Sequence, residues 1–224
     1  VFSKHYIAPP QTVIFYPDPH PEITCCDGHA ARDYGSGIGD TWHEKRTRPG
    51  TMGAAHDRVD HIVFESYRIR DRWYSLLRSF LLFDTSIIPP TAVILGAHVR
   101  LYGSYKYDGL DLPDFGPVIC NSFPISNTDI VAADYQNIGH ELLSHEHIHI
   151  GDWKVGDWNE FNLNGYGLDR IAKGGITKFG IRDWRYDIQG VDPPWKSSKR
   201  MHISWRSAED PDLYIPELVV TFQP

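Results

Sequence analysis

The sequence predicts an all-β fold in which two antiparallel sheets pack face to face. Two observations lead to this prediction. Apolar segments are short and end at Pro, Gly, Asp or Asn, which is the pattern of strands joined by turns. In addition, 19 Gly and 16 Pro are spread along the 224 residues without a period, which argues against a bundle of long helices.

Nine segments are predicted as strands. Residues 12–16 form the first. Residues 74–84 carry apolar side chains on both faces, as expected of a central strand that is covered on both sides. Residues 93–102 alternate between apolar and polar, so they predict a half-buried antiparallel strand. The other strand candidates are residues 118–123, 146–150, 160–163, 178–182, 201–205 and 218–222.

Helical periodicity is nearly absent. Residues 167–174 predict a connector of about two helical turns that ends at glycine. Residues 31–60 are expected to form loops interrupted by a short strand near Trp42. The fold class is therefore all-β, with long loops and at most one short helix. The predicted core between the sheets contains Leu77, Phe80, Leu81, Phe83, Val99, Leu101, Leu218 and Val220.

One domain is predicted over residues 12–224, because no linker or internal repeat divides the chain. The net charge is -7 and the 22 basic residues are interspersed among 29 acidic ones, so no basic surface favours nucleic acid. No apolar run reaches the roughly 18 to 20 residues of a membrane-spanning helix.

Residues 1–11 are predicted to form an N-terminal arm. The arm carries apolar residues ahead of two consecutive prolines and could add a strand to the sheet edge of a second copy. It could equally lie on its own subunit. The first alternative predicts a homo-oligomer or polymer, such as a filament, fibre or surface assembly. The residues proposed to make the contact are Val1, Phe2, Tyr6 and Ile7.

Several segments, in the right order, resemble the DNRLRE type of domain, which is related to archaeal disaggregatase repeats and to a carbohydrate-binding module family. The most specific is Arg78-Ser-Phe-Leu-Leu-Phe-Asp-Thr-Ser86. The resemblance covers residues 12–223 and implies a jelly-roll-like β-sandwich that is mostly a noncatalytic module of secreted, cell-surface, phage or virus structural proteins. The other similar segments are residues 15–20, 27–28, 94–102, 129–135, 158–164, 174–181 and 216–222.

The three cysteines allow two readings. The secreted setting that the resemblance implies favours a disulfide from Cys25 or Cys26 to Cys120, or at least their proximity. Buried free thiols are the alternative. The cysteine spacing does not fit a zinc site.

Two metal sites are considered. His145, His147 and His149 would share one face of a strand, but they would span roughly 13 Å, so a solvated strand face is preferred to a transition-metal site. A structural calcium ion could bind the loop carboxylates Asp108, Asp111 and Asp114, or Asp152 and Asp157. Ordinary turn formation by aspartate is the preferred reading, so no cofactor is predicted.

Seven Trp and twelve Tyr are many for this length, and aromatic rings near turns could stack against sugars. The alternative is that these rings fill the core or a protein interface. The glycan-binding candidates are Trp153, Trp158, Trp184, Tyr186 and Trp195.

No pattern selects a catalytic residue among the 29 acidic side chains, and Gly35-Ser-Gly-Ile-Gly39 does not lie between a strand and a helix as a phosphate loop would. We therefore expect no enzymatic activity. The predicted function is a noncatalytic extracellular or virion structural protein that self-assembles through its sandwich and arm. The alternative is a carbohydrate-binding or adhesion module.

Overall fold

Antiparallel strands dominate the chain in a computed structural model, which describes residues 8–33 and 37–224. The predicted fold class, an all-β antiparallel sandwich, is confirmed. The described strands are β1 (Gln11–Phe15), β2 (Asp27–Asp33), β3 (Met52–Ala54), β4 (Val59–Ser66), β5 (Trp73–Asp84), β6 (Val93–Asp108), β7 (Pro117–Ser122), β8 (Ile138–Leu142), β9 (Trp158–Asn162), β10 (Ile176–Asp183), β11 (Arg200–Arg206) and β12 (Glu217–Gln223).

Strand β6 joins two sheets. Its first half pairs with β12 on one edge and β9 on the other, and β1 extends beyond β12; we call these four strands the small sheet. Its last residues pair with β11 in the large sheet, which continues in the order β4, β5, β10, β7 and β8. Gly103 lies at this junction, where an added Cβ would come within 2.0 Å of the Lys154 carbonyl oxygen.

Strand β5 lies at the centre of the large sheet. Leu81 pairs with Asp27 of β2 on one edge and with Phe179 of β10 on the other. Nearer its start, β4 replaces β10 as the second neighbour, and β3 extends from β2. Residues 75–83 are all buried, which confirms the prediction of a strand covered on both sides.

The eight predicted core residues are all buried, and seven of them belong to one cluster that receives side chains from both sheets. This shared core is why the fold is sandwich-like. Leu77 is the exception: it packs with Ala31 and Val63 in a separate small cluster, so its predicted place between the sheets is wrong.

Three expectations about local structure are wrong. Residues 146–150 form a loop instead of a strand, because the loop backbone bonds irregularly to neighbouring segments. Trp42 begins a helix, α1 (Trp42–Thr47), because Thr41 and Glu44 form a capping box. A second helix, α2 (Gly165–Asp169), begins before the predicted connector. With a 3-10 turn at Ala132–Gln136 and a π turn at Trp184–Ile188, the described chain exceeds the single helix predicted.

The predicted arm lies mostly outside the described residues, since Val1, Phe2, Tyr6 and Ile7 all fall there. Its described end contacts its own subunit, where the Gln223 side-chain amide donates to the Ala8 carbonyl oxygen. The contact with a second copy stays a prediction. Among the described residues, no helix has the length and apolar character needed to cross a membrane.

Candidate functional site

The outer face of the small sheet carries polar and aromatic side chains. In β6, Val99 and Leu101 are fully buried, so the alternating residues Arg100 and Tyr102 face outward. Arg100 lies opposite Glu217 of β12 and Glu160 of β9, which places a cation between two carboxylates. The Arg100 guanidinium donates to the Glu217 carboxylate at 2.6 Å. The sheet register therefore builds a charged row across this face.

An aromatic cluster adjoins that row. The Tyr214 ring stacks on Tyr102 with centroids 4.1 Å apart and planes at 16°, and Trp158 meets Tyr102 edge-on at 5.5 Å. The Arg100 guanidinium lies 4.4 Å from the centroid of the Trp158 ring. Tyr214 remains 41% exposed. We call Arg100, Tyr102, Trp158 and Tyr214 the aromatic face; its rings are held in place by one another before any ligand binds.

A cavity of about 490 Å³ lies beside β9, and we call it the polar groove. Glu160 lines the groove and also belongs to the charged row, so the groove and the aromatic face are continuous. The groove offers imidazole, carboxylate and amide groups for hydrogen bonding. Its lining residues are His145, Glu146, His147, Ile148, Glu160, Phe161 and Asn162.

Two of the five aromatic candidates are wrong. Trp153 is 1% exposed and Tyr186 is 6% exposed, so neither ring can present a face to a ligand. Both fill the interior, which was the alternative reading of these side chains. The position of an aromatic residue near a turn in the sequence does not show whether its ring points into the core or towards solvent.

The other three candidates are partly exposed. Trp158 belongs to the aromatic face. Trp184 stacks on His147 of the groove wall with centroids 4.2 Å apart, so it lies beside the groove. Trp195 donates its indole N–H to the Arg72 carbonyl oxygen and contributes to neither the face nor the groove. Only Trp158 and Trp184 are therefore near one surface.

The predicted calcium loop has other partners. The Asp108 carboxylate accepts from the Leu112 backbone N–H at 3.0 Å, as a turn-forming aspartate does, and Asp111 pairs with Lys196. Among the described residues, Asp108, Asp111 and Asp114 do not bring their oxygens together as a set of ligands. The contacts of Asp108 and Asp111 agree with the preferred reading of turn formation, and a calcium ion here stays a prediction.

The histidines at 145, 147 and 149 also do not converge on one position. His147 and His149 approach with their Nε2 atoms 3.1 Å apart, but His145 is not part of a group of close ligand atoms among the described residues. The loop conformation is the reason, since a strand would have placed all three on one face.

All three cysteines are free and buried. In the register of the large sheet, Cys120 lies in β7, three strands from Gly28 in β2, and Cys25 and Cys26 immediately precede β2. Three inter-strand spacings amount to about 14 Å, too far for a disulfide. The predicted proximity is therefore wrong and the free-thiol alternative is confirmed. Burial raises the pKa of the Cys120 thiol to about 12.

A buried pair of carboxyl groups lies at one end of the large sheet. Asp27 and Asp60 are each 1% exposed, and the His29 imidazole meets Asp60 at 3.2 Å. Burial raises the pKa of Asp27 well above its usual range, and the nearby charges of Asp60 and Glu209 raise it further. Burial likewise raises the pKa of Asp60. The pair therefore retains a proton where isolated carboxyl groups have lost theirs.

This pair predicts a stability that falls as pH rises. Between the unfolded pKa of about 3.9 and the raised folded value, the native state binds more protons than the unfolded state. Replacing Asp27 with asparagine puts a neutral amide beside Asp60, so the variant should lose less stability than wild type between pH 5 and pH 8. Urea unfolding at both pH values measures this, with the exposed Asp71→Asn as control. Parallel pH profiles for wild type and Asp27→Asn would contradict the assignment.

Most of the aromatic face was missed by the sequence reasoning. Alternation in residues 93–102 does place Arg100 and Tyr102 on the exposed side. The alternation does not predict the register that pairs Arg100 with Glu160 and Tyr102 with Trp158. It also does not predict that Tyr214, in the loop before β12, stacks on Tyr102.

Comparison with known proteins gives no match, either to a protein-family model or to a curated protein. The resemblance to the DNRLRE type of domain therefore stays a prediction that rests on the segments quoted above.

Proposed function

We propose that this chain is a noncatalytic glycan-binding module of a secreted, cell-surface or virion structural protein. The observation that carries the proposal is the aromatic face, where Tyr102, Trp158 and Tyr214 are packed against one another beside a row of charged groups. Aromatic rings next to hydrogen-bonding side chains suit sugars, because a sugar ring has an apolar face and a rim of hydroxyl groups.

The polar groove supports the same proposal. At about 490 Å³ it falls within the usual size range of ligand pockets, about 300–1,000 Å³. The exposed Glu160 and Asn162 line it from β9, and His145 and Glu146 line it from the facing loop. A glycan lying across β9 would stack on the aromatic face and pair its hydroxyl groups with these side chains.

Removing the Tyr214 ring should weaken glycan binding about tenfold, which corresponds to about 1.4 kcal/mol of lost stacking. The ligand is first identified on a glycan array, and the affinities of wild type, Tyr214→Ala and Trp158→Ala are then measured by calorimetry. Tyr166→Ala is the matched control, since this tyrosine is 66% exposed and lies outside the aromatic face.

Two outcomes would overturn the proposal. One is the absence of any bound glycan on the array. The other is an equal loss of affinity in Tyr214→Ala and Tyr166→Ala, since the aromatic face would then have no special role. Thermal melts of all variants establish that each is folded. Hydrolysis of the bound glycan would contradict the noncatalytic part, with Glu146 and Glu160 of the groove as the pair to replace.

Self-assembly is the second candidate function, and the end of the small sheet favours it. Among the described residues, β1 pairs only with β12, so its other edge is free to accept a strand from a second copy. Ile14 and Tyr16, in and just after this strand, are each 43% exposed. Size-exclusion chromatography of the same wild-type preparation distinguishes assembly from a monomeric binding module.

A further inference from the structure

Three potential metal ligands, none of which belongs to the aromatic face, lie close together. His20 and Glu22 come from the loop between β1 and β2, and His56 comes from the loop between β3 and β4. The Nδ1 atom of His20 lies 3.0 Å from one Glu22 oxygen, and the Nδ1 atom of His56 lies 2.8 Å from the other. All three ligand atoms lie within 4.8 Å of one another.

The donor set has the chemistry of a transition-metal site. Two imidazole nitrogens and one carboxylate oxygen suit Zn²⁺ and similar divalent ions, and the same set of three protein ligands is common where zinc keeps an open position. In a tetrahedral site with bonds of about 2.0–2.1 Å, neighbouring ligand atoms are about 3.3 Å apart. The two imidazole–carboxylate separations, 3.0 Å from His20 and 2.8 Å from His56, would widen by a few tenths of an ångström. The separation between the two imidazole nitrogens, which is at most 4.8 Å, would have to adjust to about 3.3 Å.

The loop that carries His20 and Glu22 is fixed independently of any ion. One carboxylate oxygen of Asp18 accepts hydrogen bonds from the backbone N–H groups of Ile23 at 3.2 Å and Thr24 at 2.7 Å. The same oxygen also accepts from the Thr24 hydroxyl at 2.9 Å. Because the loop is already ordered, binding would lose little conformational entropy in it.

A third loop supports the site from behind. The Glu209 carboxylate, from the loop between β11 and β12, accepts from the backbone N–H of His20 at 3.1 Å. Its other oxygen is buried and has no hydrogen-bond partner among the described residues. Hydrogen bonds around the ligands orient them in metal sites, and Glu209 would do so through the backbone of His20.

The burial of the three side chains leaves one side open. Only 4% of the Glu22 side chain is exposed, whereas the side chains of His20 and His56 are 57% and 53% exposed. The carboxylate therefore forms the floor and the imidazoles form the rim. We propose that His20, Glu22 and His56 bind one divalent transition-metal ion of the Zn²⁺ class, which clips the β1–β2 loop to the β3–β4 loop.

The test is a titration of the chelator-treated chain with Zn²⁺, followed by calorimetry, and with Co²⁺, followed by its absorption spectrum. We expect one ion per chain and a rise in melting temperature that depends on metal concentration. His56→Ala and Glu22→Gln should each weaken binding at least about 100-fold, and Glu209→Gln about tenfold. Mg²⁺, which prefers an all-oxygen octahedron, should not compete.

The control is the double variant His147→Ala/His149→Ala, which removes another close pair of imidazoles and should bind like wild type. His56 lies in an exposed loop, so His56→Ala keeps the proposal testable if Glu22→Gln does not fold. The proposal is overturned if His56→Ala binds Zn²⁺ as tightly as wild type, if the double variant is the one that loses binding, or if wild type binds no ion at millimolar concentration. None of these measurements depends on glycan binding, so the metal site is tested independently of the proposed function.

Discussion

Replacing Asp187 with asparagine should lower the free energy of unfolding by about 3–5 kcal/mol, because it leaves two buried cations without a counter-charge. Asp187 is fully buried and receives hydrogen bonds from both Arg78 and Arg182. Each guanidinium donates to both carboxylate oxygens, at 2.7 and 2.8 Å. The side chains of the two arginines are only 2% and 4% exposed.

The pH dependence of this interaction has the opposite sign to that of the Asp27 and Asp60 pair. Burial alone would raise the pKa of Asp187, but the guanidinium groups of Arg182 and Arg78 hold it well below its usual range. The stabilisation is therefore complete above the unfolded pKa of about 3.9 and is lost as pH falls below it. The difference between wild type and Asp187→Asn should narrow at acidic pH.

Urea unfolding at pH 7 measures the effect, and Asp71→Asn is the matched control. Asp71→Asn makes the same change of charge and shape. However, the Asp71 side chain is 76% exposed and its ion pair with Arg70 is long, at 3.6 Å. Such exposed pairs contribute about 0–1 kcal/mol. If Asp187→Asn lost less than about 1 kcal/mol, the two arginines would have to be stabilised by their carbonyl partners instead.

The strands that the sequence predicts well are those with large alternating or continuous apolar residues. Strands β5, β10, β11 and β12 begin and end within a residue or two of the predicted ranges. Their side chains face a common core, so the buried positions of these strands are occupied by apolar residues that can be recognised in the sequence. The fold class follows from the same pattern.

Strand β2 carries no such pattern and was missed. Its residues Asp27–Asp33 include no large aliphatic side chain, yet the first five are buried. The backbones of β2 and its neighbours approach closely here, so large side chains are not needed to fill the space. A Cβ added to Gly28 would lie 2.3 Å from the Ala54 carbonyl oxygen. Sequence periodicity measures hydrophobic side chains, so a strand that packs through small residues escapes it.

The candidate sites depend on pairings between distant segments. The aromatic face needs Arg100, Trp158 and Tyr214 to meet, and the proposed metal site needs His20 and Glu22 to meet His56. Spacing along the chain can place residues on one face of one strand, but it does not give the register of the neighbouring strand or the path of a loop. For this reason Trp158 was identified as a candidate from the sequence, whereas the residues of the proposed metal site and the assembly of both sites were not.

Trimming Phe80 to alanine should also cost about 3–5 kcal/mol, near the upper end of what a core truncation produces. Phe80 is fully buried in the main core cluster. Its partners in the two neighbouring strands are Gly28 and Gly180, so neither directly paired residue has a side chain to fill the space that the ring vacates. The cavity therefore persists, and its energy adds to the lost burial of the ring.

Thermal and urea unfolding measure this loss, with Phe123→Ala as the control. Phe123 lies just after β7 and is 57% exposed, so the same truncation there should change stability by no more than about 0.5 kcal/mol. Phe80→Leu separates the two parts of the effect, because leucine restores much of the apolar surface and leaves a smaller cavity. A loss below about 1 kcal/mol in Phe80→Ala would mean that the sheet closes around the vacancy, which the flanking glycines make geometrically difficult.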